Sequence, residues 1–123
     1  MAVKAIDHVQ LAMPPGQEQE ARRFYHHVLG IPEVSKPTDL ASRGGCWFES
    51  GDLKIHLGVE QDFRAARKAH PGLIVEHMSE LLTKLDAAGY PVTDEKIFDD
   101  CRHAYVSDPF GNRIELIERN TDM

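Results

Sequence analysis

The 123-residue sequence contains only two cysteines, Cys46 and Cys101. Their spacing fits no zinc motif, and one pair does not make the disulfide framework of a small secreted protein. No apolar run approaches the roughly 20 residues needed to span a bilayer. The opening residues, MAVKAIDHVQLAM, lack a signal-peptide layout and read at once as a strand. A reducing cytoplasm is therefore the expected location. A cationic surplus is also missing: 14 Lys and Arg against 20 Asp and Glu leave a net charge of −6. That balance argues against nucleic acid or anionic membrane as a partner, because both need clustered Lys and Arg. Arg64, Arg67 and Lys68 form one small basic group, read as the solvated face of a short helix. Neither a GxGxxG fingerprint nor a phosphate loop occurs, so flavin, nicotinamide and nucleotide chemistry have no support in the sequence.

The length fits one domain over residues 1–123. Alternation of Val9, Leu11 and Met13 predicts a first strand over Val3–Met13, ended by Pro14-Pro15-Gly16. Gln17–Leu29 carries an apolar stripe of Ala21, Phe24, Tyr25, Val28 and Leu29 at helical spacing, with Gly30 as its stop. Strands are expected near Glu33–Ser35, Cys46–Ser50 and Leu53–Glu60. Residues 61–69 form a polar, Pro-free connector whose composition is compatible with a helix. The pattern then restarts: a strand over His70–Glu76, a helix over Ser79–Ala88, and strands near Val92–Lys96, Arg102–Ser107 and Arg113–Glu118. Asp108-Pro109-Phe110-Gly111-Asn112 reads as a turn.

The order strand, helix, three strands thus occurs twice, in modules of about 1–60 and 70–119. The residues repeat as well. Gly30-Ile31-Pro32 matches Gly89-Tyr90-Pro91, and Lys54-Ile55-His56-Leu57 matches Arg113-Ile114-Glu115-Leu116, both at an offset of 59. His8 matches His70 at 62, the difference being absorbed by the loop Pro14–Gln17.

Successive strand residues point to opposite faces. Val9 and Leu11, then Leu53, Ile55 and Leu57, then Leu73 and Val75, then Ile114 and Leu116 form the apolar rows that face the helices. His8, His56, His70 and Glu115 have the opposite parity. Four strands therefore each set one metal-competent side chain on the non-helix face, at positions related by the repeat. Three imidazoles and a carboxylate suit one divalent transition metal such as nickel, zinc, manganese or iron. His26, His27, His77 and His103 lack such placement and read as structural or exposed.

Asp7-His8-Val9-Gln10-Leu11, the Ala21-x-x-Phe24-Tyr25-x-x-x-Leu29-Gly30 helix and Asp108-Pro109-x-Gly111-Asn112-x-x-Glu115-Leu116 resemble the glyoxalase/bleomycin-resistance/dioxygenase (vicinal oxygen chelate) superfamily over nearly the whole chain. The resemblance implies an α+β fold of two βαβββ modules forming a cupped mixed sheet around a metal. It also implies a homodimer whose sites are built from both chains. The family's first-strand His falls on His8, its mid-chain His on His70 and its late Glu on Glu115, while its variable fourth ligand falls on His56. Glyoxalase I usually has Glu at that fourth position, so His56 departs from its pattern. Bleomycin-binding members lack the ligands, fosfomycin thiol transferases keep only His, His and Glu, and extradiol dioxygenases are typically longer.

The expected activity is that of a metal-dependent, glyoxalase-like lyase or isomerase. Its small oxygenated substrate would bind by chelation and react by proton transfer, with Glu115 or His56 as the base. Arg43 and Arg102 are candidates to clamp a carboxylate or phosphate, or else are exposed charge at strand ends. Trp47 is a candidate wall of the cup or a core residue. The alternatives are a small-molecule-sequestering protein without catalysis, and a thiol transferase or dioxygenase.

Overall fold

The structure, a computed structural model of the chain, describes residues 1–119. Two compact units divide it, one ending at Phe63 and the other starting at Arg64.

The first unit runs β1 (Val9–Met13), α1 (Glu18–Ala21) continuing into a π-helical stretch Arg22–Val28, β2 (Glu33–Val34), α2 (Thr38–Ala41), β3 (Cys46–Ser50) and β4 (Leu53–Val59). Its sheet has the order β1-β4-β3-β2, with β1 parallel to β4 and the other pairs antiparallel. The stripe Ala21, Phe24, Tyr25 and Val28 is buried against Met13, Cys46, Phe48, Ile55 and Leu57. Each large apolar side chain so buried contributes about 1.5–3 kcal/mol. Gly45, at φ +84°, lets β3 approach β4 closely: a Cβ there would stand 2.1 Å from the Leu57 carbonyl oxygen.

The second unit repeats the plan with β5 (Gly72–Ile74), α3 (Met78–Ala87), β6 (Val92–Phe98), β7 (Cys101–Ser107) and β8 (Arg113–Arg119). Its sheet order is β5-β8-β7-β6, again with one parallel and two antiparallel pairs. Met78 and Leu85 of α3 are buried with Ala104, Val106, Ile114 and Leu116. His77 caps the helix start in a left-handed conformation, and the Met78 N–H donates to Glu118 Oε2 of β8 at 2.9 Å. This is the α+β, twin-sheet architecture that the repeat predicts.

Three details differ from the sequence-based expectation. The first strand begins at Val9, not Val3, because pairing with β4 starts at Val9 opposite Ile55; Val3 and Ile6 are exposed. The segment 61–69 forms turns and bends instead of a helix. The short helix α2 carries no apolar periodicity long enough to announce it. Among the described residues, no helix is long and apolar enough to cross a membrane.

Candidate functional site

In the first unit, His56 sits on the strand flanked by β1 and β3, on the face away from the helix. Its ring stacks on Trp47 at 3.9 Å with the planes 2° apart, and on His8 at 4.5 Å. Because β4 lies between the other two strands, the imidazole is sandwiched and only 4% exposed. His56 Nε2 is 2.7 Å from Glu49 Oε2. His8 stands one residue before β1 with Nδ1 2.9 Å from Asp7 Oδ1. The Asp7 carboxyl is held below its usual range by that contact and by Lys54.

In the second unit, Glu115 projects from β8 on the face away from α3. His70 Nε2 is 3.0 Å from Glu115 Oε1, and His103 Nδ1 is 2.7 Å from Glu115 Oε2. Burial pushes the Glu115 pKa up, but the hydrogen bonds from His103, His70 and Tyr105 outweigh it and leave the carboxyl below its ordinary value. His70 Nδ1 lies 2.8 Å from the Lys68 carbonyl oxygen, which can only accept, so Nδ1 carries a hydrogen. A protonated His70 bridges carbonyl and carboxylate. A neutral one turns its Nε2 lone pair toward a carboxylate oxygen, two donors that a metal ion can bridge.

The two pairs are equivalent in the fold. Gln10 is paired with His56 and Gly72 with Glu115; His8 and His70 each lie two residues before those partners. Trp47 stands opposite His56 as Tyr105 stands opposite Glu115. The offsets of 59 and 62 read from the sequence are thus the offsets of the three-dimensional repeat. The structure brings His8 to His56 and His70 to Glu115. Among the described residues no three His, Cys, Asp or Glu side chains are gathered to hold an ion by themselves; each unit offers a pair.

Of the two readings left open for His103, structural or exposed, the structure shows it buried: it is 8% exposed, stacked at 3.7 Å on Phe98, and bonded to Glu115. Its Nε2 is buried with no hydrogen-bond partner among the described residues, so Nδ1 is the nitrogen that engages Glu115. Glu49 and Tyr105 are further residues that the sequence reading missed. Strand parity on β3 and β7 would have found all three, once the turns at Gly51-Asp52 and Asp108–Asn112 set the register.

Arg102 lies on the other face of its sheet. It shares that face with Ala104 and Val106, reaching Ser79 Oγ at 3.0 Å and Glu118 Oε1 at 3.5 Å. Arg43 is exposed after α2, its N–H bonded to the Leu40 carbonyl. Neither accompanies the histidine and carboxylate pairs. The Cys46 thiol, pushed up to about 11 by burial, is not a nucleophile at neutral pH.

A profile described as the Glyoxalase/Bleomycin resistance protein/Dioxygenase superfamily matches residues 5–116. The chain belongs to this superfamily. It is similar to a crystal structure described as a glyoxalase family protein from Bacillus anthracis, with 47% identity over 97% of this chain and 98% of that one, at a TM-score of 0.90. A glyoxalase/dioxygenase from Nostoc punctiforme shares the fold at TM-score 0.79 and 20% identity, covering 96% and 92% of the two chains. A lactoylglutathione lyase from Agrobacterium tumefaciens shares it at 0.70 and 20% identity, covering 98% of each. No curated protein matches the sequence. In this glyoxalase-superfamily chain, the imidazole and carboxylate donors are those that divalent metals favour, and the His70–Glu115 separation suits two ligands of one ion. Bonds of about 2.1 Å at the right angle of an octahedral ion set their donor atoms about 3.0 Å apart.

Proposed function

We propose that the protein is a metal-dependent, glyoxalase-like lyase or isomerase acting on a small hydroxy- or oxo-compound, or its thiol adduct. One observation carries this reading: His70 Nε2 and Glu115 Oε1 face each other at 3.0 Å while Nδ1 of the same ring is committed to a backbone carbonyl. A ligating histidine typically donates its second nitrogen to a carbonyl or carboxylate in this way. The ion would be held by His70 and Glu115 together with His8 and His56, and the second pair would come from the partner chain of a homodimer. Bound there, a divalent ion such as nickel, zinc, manganese or iron would supply Lewis-acid polarisation of a substrate oxygen.

The chain's own groups handle the proton. Glu115, ionised at neutral pH, would take it on Oε1 from the carbon next to the polarised oxygen as Oε1 leaves the ion, while His103 holds Oε2. His56, held by Glu49, is the second candidate base. Trp47 and Tyr105 supply apolar walls that limit water.

Elemental analysis after exposure to each of the four metals tests the reading, with about one ion per chain expected. With small hydroxy- and oxo-compounds, solvent deuterium should enter the carbon beside the chelated oxygen. The Glu115→Gln variant should lose this exchange more than it loses substrate binding. No ion at saturating metal would leave sequestration without catalysis; oxygen consumption during turnover would mean a dioxygenase.

A further inference from the structure

Arg113 opens β8 two residues before Glu115 and shares its face. The Arg113 guanidinium lies over the Tyr105 ring, its Cζ 4.0 Å from the centroid. A ring face attracts a cation without accepting all five of its N–H donors. Among the described residues no carboxylate forms an ion pair with Arg113 or with Arg67. Both line one cleft of about 360 Å³ with the hydroxyl-bearing Thr93, Tyr105 and Ser107. Thr93 is paired with Tyr105, and Ser107 with Arg113, so the strands set all four side chains on the Glu115 face. No Asp or Glu lines the cleft; Asp94 reaches Tyr105 only through its field.

A second cleft of this unit, about 450 Å³, also holds cations, Lys96 and Arg102. There Glu95 is part of the lining, and Arg102 is already engaged by Glu95 and Glu118. Unneutralised cations beside hydroxyl donors, in a protein of net charge −6, mark the first cleft as the place for an anion.

We infer that Arg113 and Arg67, with the Thr93 and Ser107 hydroxyls, form an anion subsite beside Glu115, and that the substrate carries a carboxylate or phosphate there. The inference rests on the proposed role of Glu115, since the subsite gains its meaning from the reacting oxygen next to it. Tyr105 links the two: its ring supports Arg113 and its hydroxyl adjoins the Glu115 carboxylate. The anion thereby anchors one end of a short substrate while its hydroxy or oxo group meets Glu115.

Titration of chelator-treated protein with inorganic phosphate and, separately, with acetate tests this, followed by NMR at the Tyr105 ring and the arginine Nε–H groups. Saturable millimolar binding of either is expected, and the tighter of the two tells phosphate-bearing from carboxylate-bearing substrates. Arg113→Ala and Arg67→Ala should each weaken it about tenfold, with Arg113→Lys intermediate because the planar fork is lost. Arg119→Ala, about 20 Å along the same strand, should change nothing. Binding that survives both alanine variants, or no saturable shift with either anion, would overturn the subsite. Should Arg113→Ala fail to fold, Arg67→Ala, outside regular structure, decides. A protein that binds metal but no anion sinks this inference alone; one that binds anions through Arg113 but no metal sinks the proposed function alone.

Discussion

His103 and Glu115 meet across neighbouring strands, Nδ1 to Oε2, at 2.7 Å. The contact leaves Oε1 directed at His70 and gives Glu115 a fixed orientation that its own strand cannot supply. Under the proposed role of Glu115, His103 acts as a positioning residue. His103→Ala should weaken metal binding about 10- to 100-fold, as loss of such an outer partner typically does. His103→Asn, whose amide can donate to the same oxygen, should recover part of it. A role in packing alone would shift the melting temperature without moving metal affinity or its pH profile.

Acid should release the metal, because the histidines must be neutral to coordinate. His70 sharpens this: a proton on Nε2 makes the bond to Glu115 that the ion would replace. Affinity measured from pH 8 down to 5 should fall through the histidine range, and Glu115→Gln should bind weakly throughout. Affinity independent of pH would contradict an imidazole site.

The acid limb of folding stability should report Glu18. Its Oε2 accepts the Gly45 N–H at 2.9 Å, and that bond, working against burial, holds its carboxyl below the usual value. A depressed native pKa stabilises the fold above the unfolded-state value and is lost as pH falls through the native one. Denaturant midpoints from pH 6 to 3 should therefore fall less steeply in Glu18→Gln than in the parent chain.

Gly45→Ala should destabilise the first unit by about 2–4 kcal/mol, combining a positive φ with a backbone clash. The clash is with the Leu57 carbonyl. Gly51→Ala, with a positive φ but nothing within 4 Å of its Cβ, should cost about 1 kcal/mol. Equal losses in urea melts would remove the close-approach explanation.

Light scattering should give about twice the 13.9 kDa chain mass, a closed twofold pair being the commonest assembly. A strict monomer that still binds one ion through all four ligands would contradict shared sites.

The repeat and the alternation along each strand were enough to determine the twin βαβββ plan, the apolar rows and the face that carries His8, His56, His70 and Glu115. Both signals are local, because a strand's side chains alternate whatever lies beside it. The same alternation on β7 already sets Arg102 with Ala104 and Val106 on the helix face, though charge alone had suggested a substrate clamp. Tertiary structure decided what each residue meets. Glu49 reaches His56, and His103 and Tyr105 reach Glu115, only because hairpin turns set one register among several that the patterns allow. The start of β1 at Val9 was likewise decided by where its partner strand lies. The seat of Arg113 over Tyr105 follows from that same hairpin register, while its lack of an acidic partner among the described residues depends on what the rest of the unit places beside it, which periodicity does not encode.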